Sequence, residues 1–204
     1  MIARRARSSG FTIVELMMSL AVLAVGVSGI IAMQKVTATT NLHAKSIATA
    51  TRVAQAWQAQ LMVDGSLWRI PHAESGVQTT AAVSLSKTLW LKNQNSNPAW
   101  FRPVYDPNLA FGAAFDALGN PVTDANLGQA HFCVHLQIVP LTRLENAAEA
   151  PNAALRVTTR VVWPRAQGAP VANHCAPDID PNVVGNDTTN FHSIYQTIAI
   201  RIHP

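Results

Sequence analysis

Residues 7–20 read Arg7-Ser8-Ser9-Gly10-Phe11-Thr12-Ile13-Val14-Glu15-Leu16-Met17-Met18-Ser19-Leu20, and the fold follows from how this stretch is understood. It opens an apolar run from Phe11 to Met33 whose single charged side chain is Glu15, and Arg4, Arg5 and Arg7 precede it. About 20 consecutive apolar residues suffice for a helix to cross the hydrocarbon of a bilayer. Basic side chains ahead of such a helix hold that end in the cytoplasm. A cleavable secretory signal fits poorly, because its apolar region is only about 7–15 residues long and its cleavage site follows that region. A plain membrane anchor explains the length but not Glu15. A carboxylate inside a spanning helix costs roughly 2.5–3.5 kcal/mol, so its presence implies a partner and a task.

The same residues resemble the class III (prepilin) signal of the type IV pilin-like family. In that family a membrane aspartyl protease cuts after the glycine and methylates the new N-terminal residue. Carried onto this sequence, the cut falls between Gly10 and Phe11, and Glu15 becomes the fifth residue of the mature chain. Gly10 suits a cut because it places no side chain beside the scissile bond. The resemblance implies an assembly salt bridge, in which the α-amino group of Phe11 is neutralised by Glu15 of a neighbouring subunit. Each charge then stabilises the other in a medium where neither sits cheaply alone.

Charge distribution argues against a nucleic-acid partner. The formal net charge is +4, but without the first ten residues twelve basic side chains face eleven acidic ones. A nearly neutral remainder lacks the basic face that phosphate neutralisation requires.

No proline precedes Pro71, and beyond Gln34 apolar residues recur at helical spacing as Ile47, Ala50, Ala54, Trp57 and Leu61. Asp64-Gly65-Ser66 reads as a helix end, with Gly65 available for a left-handed cap. A helix from Phe11 to Val63 would be roughly 80 Å long at 1.5 Å per residue. The sequence therefore divides into a leader at 1–10, a membrane or filament-core helix half at 11–33, an amphipathic half at 34–64 and a periplasmic head at 65–204.

In the head, Val83, Leu85, Leu89 and Leu91 fit a strand or a short helix, and residues 115–122 suggest a hairpin turning at Gly119-Asn120. Three later stretches alternate like half-buried strands: Phe132, Val134, Leu136 and Ile138; Leu155, Val157, Thr159, Val161 and Trp163; and Ile194, Ile198, Ile200 and Ile202. Loops between them favour an antiparallel sheet whose apolar face the amphipathic helix half covers. The expected fold class is α+β, the type IV pilin layout of a long N-terminal helix packed on a C-terminal antiparallel sheet.

Cys133 and Cys175 lie beyond the apolar run, and export would place them in an oxidising compartment where a disulfide is the default. Such a bond would close a loop of about 40 residues and contribute roughly 2–4 kcal/mol. His131, Cys133, His135 and His174 resemble a zinc set by residue type, but their spacing matches no familiar finger or ribbon. Exposed strand histidines beside a disulfide are the simpler reading, so no metal is assigned. Asp178, Asp180 and Asn182 begin like a calcium loop. That loop lacks the glycine of the turn, and its twelfth position is Thr189 rather than Glu, which leaves a polar connector. Ser193 lies beside His192, yet no nucleophile elbow, phosphate loop or carboxylate pair accompanies them. No enzyme activity and no cofactor are expected.

The resemblance implies a minor pilin of the PilV type, whose strands often carry a pattern similar to Val161-Val162-Trp163. Many major pilins have a proline in the membrane half of the helix, and this chain has none there. A minor pseudopilin of a type II secretion system (the GspI kind) shares these features. A different class, an adhesin or ligand-binding head on a pilin stalk, would show a ligand for the head. The implied partners are other minor and major pilins, the prepilin peptidase, the inner-membrane assembly platform and membrane lipid. The implied location is the inner membrane with a periplasmic head, then the filament or its tip.

Overall fold

The computed structural model describes residues 10, 12–68, 85, 87–94, 97–141, 154–165 and 173–201. The chain divides into two compact units, Met1–Lys45 and Ser46–Pro204, and helix α1 (Ile13–Gly65) contributes to both.

In the first unit every described residue up to Lys45 is exposed, large apolar side chains such as Ile13, Val22 and Ile30 among them. The absence of proline and the dominance of Ala, Val, Leu, Ile and Met sustain the helix. Its hydroxyls are satisfied within the helix. Ser19 Oγ donates to Glu15 O (2.8 Å), Ser28 Oγ to Val25 O (2.8 Å) and Thr37 Oγ1 to Met33 O (3.0 Å). A polar group that bonds its own preceding turn costs little in an apolar medium.

The second unit lays residues 46–65 of α1 on a four-stranded antiparallel sheet, an α+β arrangement consistent with the pilin fold. The strands are β1 (Ala114–Phe115), β2 (Phe132–Pro140), β3 (Ala154–Pro164) and β4 (Phe191–Arg201), in the order β1-β2-β3-β4. Register puts Val134 opposite Val161 and Val161 opposite Ile194, and it puts Ile138 opposite Val157 and Val157 opposite Ile198. This face meets Ala50, Val53, Ala54, Trp57 and Leu61 of the helix. Trp57 lies edge-on to Trp90 at 5.1 Å and tilted against Phe111 at 4.8 Å, so aromatic rings fill the space beside the sheet.

Several expectations change. Ile47 is 39% exposed, and the buried stripe continues through Val53 instead, because positions 50, 53, 54, 57 and 61 hold one helical face. The helix does end at Gly65, but without a left-handed cap: among the described residues the one glycine with positive φ is Gly119. The amides of Ser66, Leu67 and Trp68 continue the last turn by donating to Val63, Asp64 and Gly65 carbonyls. Gly65 is needed for space, since a Cβ there would lie 2.6 Å from Ile200 Cγ2. Leu91 begins a 3-10 turn, Leu91–Asn93, while Val83 and Ile202 lie outside the described residues.

The hairpin at Gly119-Asn120 is present. Phe115 bridges Pro121, Gly119 takes φ +88°, and Asp116 Oδ1 accepts the amides of Leu118 and Asn120 at 2.8 Å each. These bonds hold the Asp116 carboxyl below its usual range despite the opposing effect of desolvation. Strands β2 and β3 are not half-buried. Cys133, His135, Arg160 and Val162 on the far face are all enclosed, because the segment carrying Cys175 and helix α2 (Pro181–Asn186) packs there.

Candidate assembly site

At the N-terminal end Gly10 is exposed, with nothing within 4 Å of a Cβ built on it, and Phe11 lies outside the described residues. Thr12 caps α1: its Oγ1 accepts Glu15 N at 3.3 Å and its carbonyl accepts Leu16 N at 3.2 Å. The Thr12-to-Glu15 spacing is that of a capping box, which places the acidic side chain in the first turn near the positive end of the helix dipole. Glu15 is exposed there, and an 18-residue window of α1 has mean hydropathy 2.3 with none of it buried. One carboxylate therefore stands at the start of a helix long and apolar enough to cross a membrane.

The other end of α1 carries an arrangement the sequence did not announce. Asp64 is 4% exposed, and its carboxylate accepts three consecutive amides: Leu89 N at 2.6 Å, Trp90 N at 3.0 Å and Leu91 N at 3.0 Å. An anion in the last turn of a helix is opposed by the dipole, and three charge-assisted bonds outweigh that opposition. The effect is to fasten the 89–91 segment, with the core side chains of Trp90 and Leu91, to the helix end. An aspartate before a glycine signals only a helix end; its distant amides are set by the tertiary fold.

On the far face of the sheet, register aligns His135, Arg160 and Tyr195 across β2, β3 and β4. Arg160 is 1% exposed. Its NH2 donates to His135 Nδ1 (3.0 Å) and to the Pro181 carbonyl, and the guanidinium lies over the Trp100 ring at 4.3 Å. Burial pulls Arg160 below its usual range, while Tyr195 acts in the opposite sense. Cys133 and Cys175 are joined by a disulfide, and His135 Nε2 is 3.6 Å from Cys133 Sγ. Desolvation, reinforced by Arg160, lowers the His135 pKa to about 3; desolvation and His131 lower that of His174 to about 4.

The remaining candidate residues, although Cys133 adjoins His135 and His174 lies near His131, form no common site. His135 and His174 are buried rather than exposed, because the disulfide-linked segment that carries His174 packs onto the far face of the sheet. Cys133 has its sulfur in the disulfide, and no metal-holding group of three His, Cys, Asp or Glu occurs among the described residues. Asp180 caps α2 by accepting Asn182 N at 2.8 Å, so the stretch Asp178, Asp180, Asn182 forms a helix start. Ser193 is exposed while His192 stacks on Trp163 at 5.4 Å, as neighbours on a strand point to opposite faces.

An apolar helix with an acidic first turn, followed by a disulfide-bonded α+β head, is an arrangement consistent with the type IV pilin and pseudopilin fold. Residues 5–31 match the family model described as the prokaryotic N-terminal methylation motif, the type IV pilin signal. No curated protein and no solved structure matches the chain. The matched stretch contains Gly10, Phe11 and Glu15, the residues on which the sequence reading turned.

Proposed function

We propose that the chain is a minor type IV pilin. Prepilin peptidase cuts it between Gly10 and Phe11 and methylates Phe11. It then joins other minor pilins in the inner membrane to prime or cap a pilus. The observation that carries this reading is Glu15 exposed in the first turn of an otherwise apolar helix, inside the methylation motif. A freed α-amino group at Phe11 would face the same dipole end that Glu15 offsets, so a carboxylate from a neighbour neutralises a charge that its own helix disfavours. The head acts as a displayed structural body and turns over no substrate. The partners are major and minor pilins, the assembly platform and lipid.

A minor pseudopilin of a type II secretion system is the second reading. The proline-free apolar half of α1 supports it equally.

A deletion strain tests the choice. Loss of surface pili with normal protein secretion supports the minor pilin; intact pili with stalled secretion supports the pseudopilin. Co-expression with prepilin peptidase should yield a chain starting at methylated Phe11, and an uncut chain beside an active peptidase would overturn both readings. Glu15→Ala should be processed normally and assemble poorly.

A further inference from the structure

Buried charges in proteins are ordinarily paired. Arg160 has no carboxylate within ion-pair distance among the described residues, where the one such pair is Arg102 with Asp124. Its partners are neutral: His135 Nδ1, the Pro181 carbonyl, the Trp100 ring and the Tyr195 hydroxyl. Its Nε has no hydrogen-bond partner among the described residues.

A guanidinium donates and never accepts. His135 Nδ1 must therefore be an acceptor, which makes the imidazole neutral and puts its proton on Nε2. That N–H points to Cys133 Sγ at 3.6 Å. The result is a directed chain, from Arg160 through His135 to one sulfur of the disulfide. In the oxidised state the chain ends on a weak acceptor. In the reduced state it ends on a sulfur that is able to carry the missing negative charge.

We propose that Cys133–Cys175 is a reducible latch, and that His135 and Arg160 are positioning residues which stabilise the Cys133 thiolate once the bond is cut. The partner is a dithiol reductant. Two electrons pass to the disulfide, the S–S bond breaks, and the reductant's two sulfurs join. One of its protons stays on Cys175 Sγ and the other goes to water.

Both cysteines are enclosed, so exchange requires the 173–187 segment to lift, against the disulfide, the Arg160–Pro181 contact and the apolar packing of Ile179 and Val184. Gly185 packs directly on the guanidinium, since a Cβ there would meet Arg160 NH1 at 1.8 Å. Other charged or titratable groups near the chain are His174 and Arg102, which oppose a proton on His135, and Asp180, which partly offsets Arg160. His131 lies beyond His174. Among the described residues no carboxylate competes with Cys133 for the end of the chain.

The test uses the full detergent-solubilised protein equilibrated in reduced and oxidised dithiothreitol, with free thiols counted by mass after alkylation. His135→Leu, which cuts the chain, should shift the equilibrium about tenfold toward the disulfide, a potential about 30 mV lower. His135→Gln keeps an acceptor for Arg160 and a donor for sulfur, and should stay within about twofold of the native value. In Cys175→Ser, the thiolate absorbance of Cys133 should titrate below the roughly 8.5 of a free thiol. Equal potentials for native protein and His135→Leu would overturn the proposal. So would a Cys133 titrating at or above a free thiol, a result that decides the matter even where His135→Leu does not fold.

Discussion

Removing the Asp64 carboxylate isolates the fastening at the end of α1. In Asp64→Ala the amides of Leu89, Trp90 and Leu91 lose their acceptor, and two of these residues, Trp90 and Leu91, are 3% and 0% exposed. Each buried donor left unsatisfied costs about 1–3 kcal/mol. Relief of an anion at the negative end of the helix dipole returns about 0.3–1 kcal/mol, and water entering beside the half-buried Leu89 recovers more. The net loss should be about 3–5 kcal/mol, of the order found when a buried charge interaction loses one partner. At about 2–4 °C per kcal/mol for a domain of this size, Tm falls by about 6–20 °C. Tryptophan fluorescence of the full chain in detergent reads the transition directly, because Trp90 belongs to the fastened segment and packs on Trp57. A change below about 0.5 kcal/mol would refute the reasoning. It would mean that the 89–91 amides find other acceptors and that the segment is held by its apolar side chains alone.

Gly65→Ala should destabilise the head by about 1–3 kcal/mol through overpacking against Ile200. Adding Ile200→Ala should cost less in that background than alone, which a double-mutant cycle in urea measures. Gly185→Ala cannot be accommodated beside an enclosed Arg160, so α2 should detach and limited proteolysis should cut near 181–190 faster than in the native chain. Stability should fall as pH drops from about 6.5 toward 4, the range in which unfolded histidines bind protons that buried His135 and His174 refuse. Each contributes up to about 1.4 kcal/mol per pH unit in that window. Urea midpoints at pH 7 and pH 5 check this, and His174→Phe should flatten the dependence.

The apolar half of α1 and the sheet are legible because each depends on local pattern. An uninterrupted apolar run needs no tertiary context, and Val134, Leu136 and Ile138 alternate whatever lies opposite them. Ile47 was misread because one apolar residue at roughly helical spacing says nothing of where the sheet's edge falls; only the packing of Gly119 on Thr49 and Val53 marks that limit. The far face of β2 was expected to be wet, since Cys133, His135 and Gln137 look polar beside Phe132 and Val134. Its burial follows from a cover more than thirty residues away in the chain, brought there by the Cys133–Cys175 bond. Asp64 and Arg160 were invisible for the same reason. A carboxylate at a helix end and an arginine in a strand are ordinary until three amides and an imidazole arrive from elsewhere.

The close approach of Gly65 to Ile200 has a consequence for how the head is made. Ribosomes deliver a chain from its N-terminus, so residues 50–65 emerge well before β4, which follows the other described strands. The helix end cannot seat against Ile200 until β4 is available, and contacts so distant in sequence form slowly. In the interval the helix end at Gly65 and the β3 side chains Leu155, Val157 and Val161, which stand opposite β4, lack that neighbour. A head lacking β4 would leave the β3 edge and the helix end open, an exposed surface of the kind that holdases and proteases recognise.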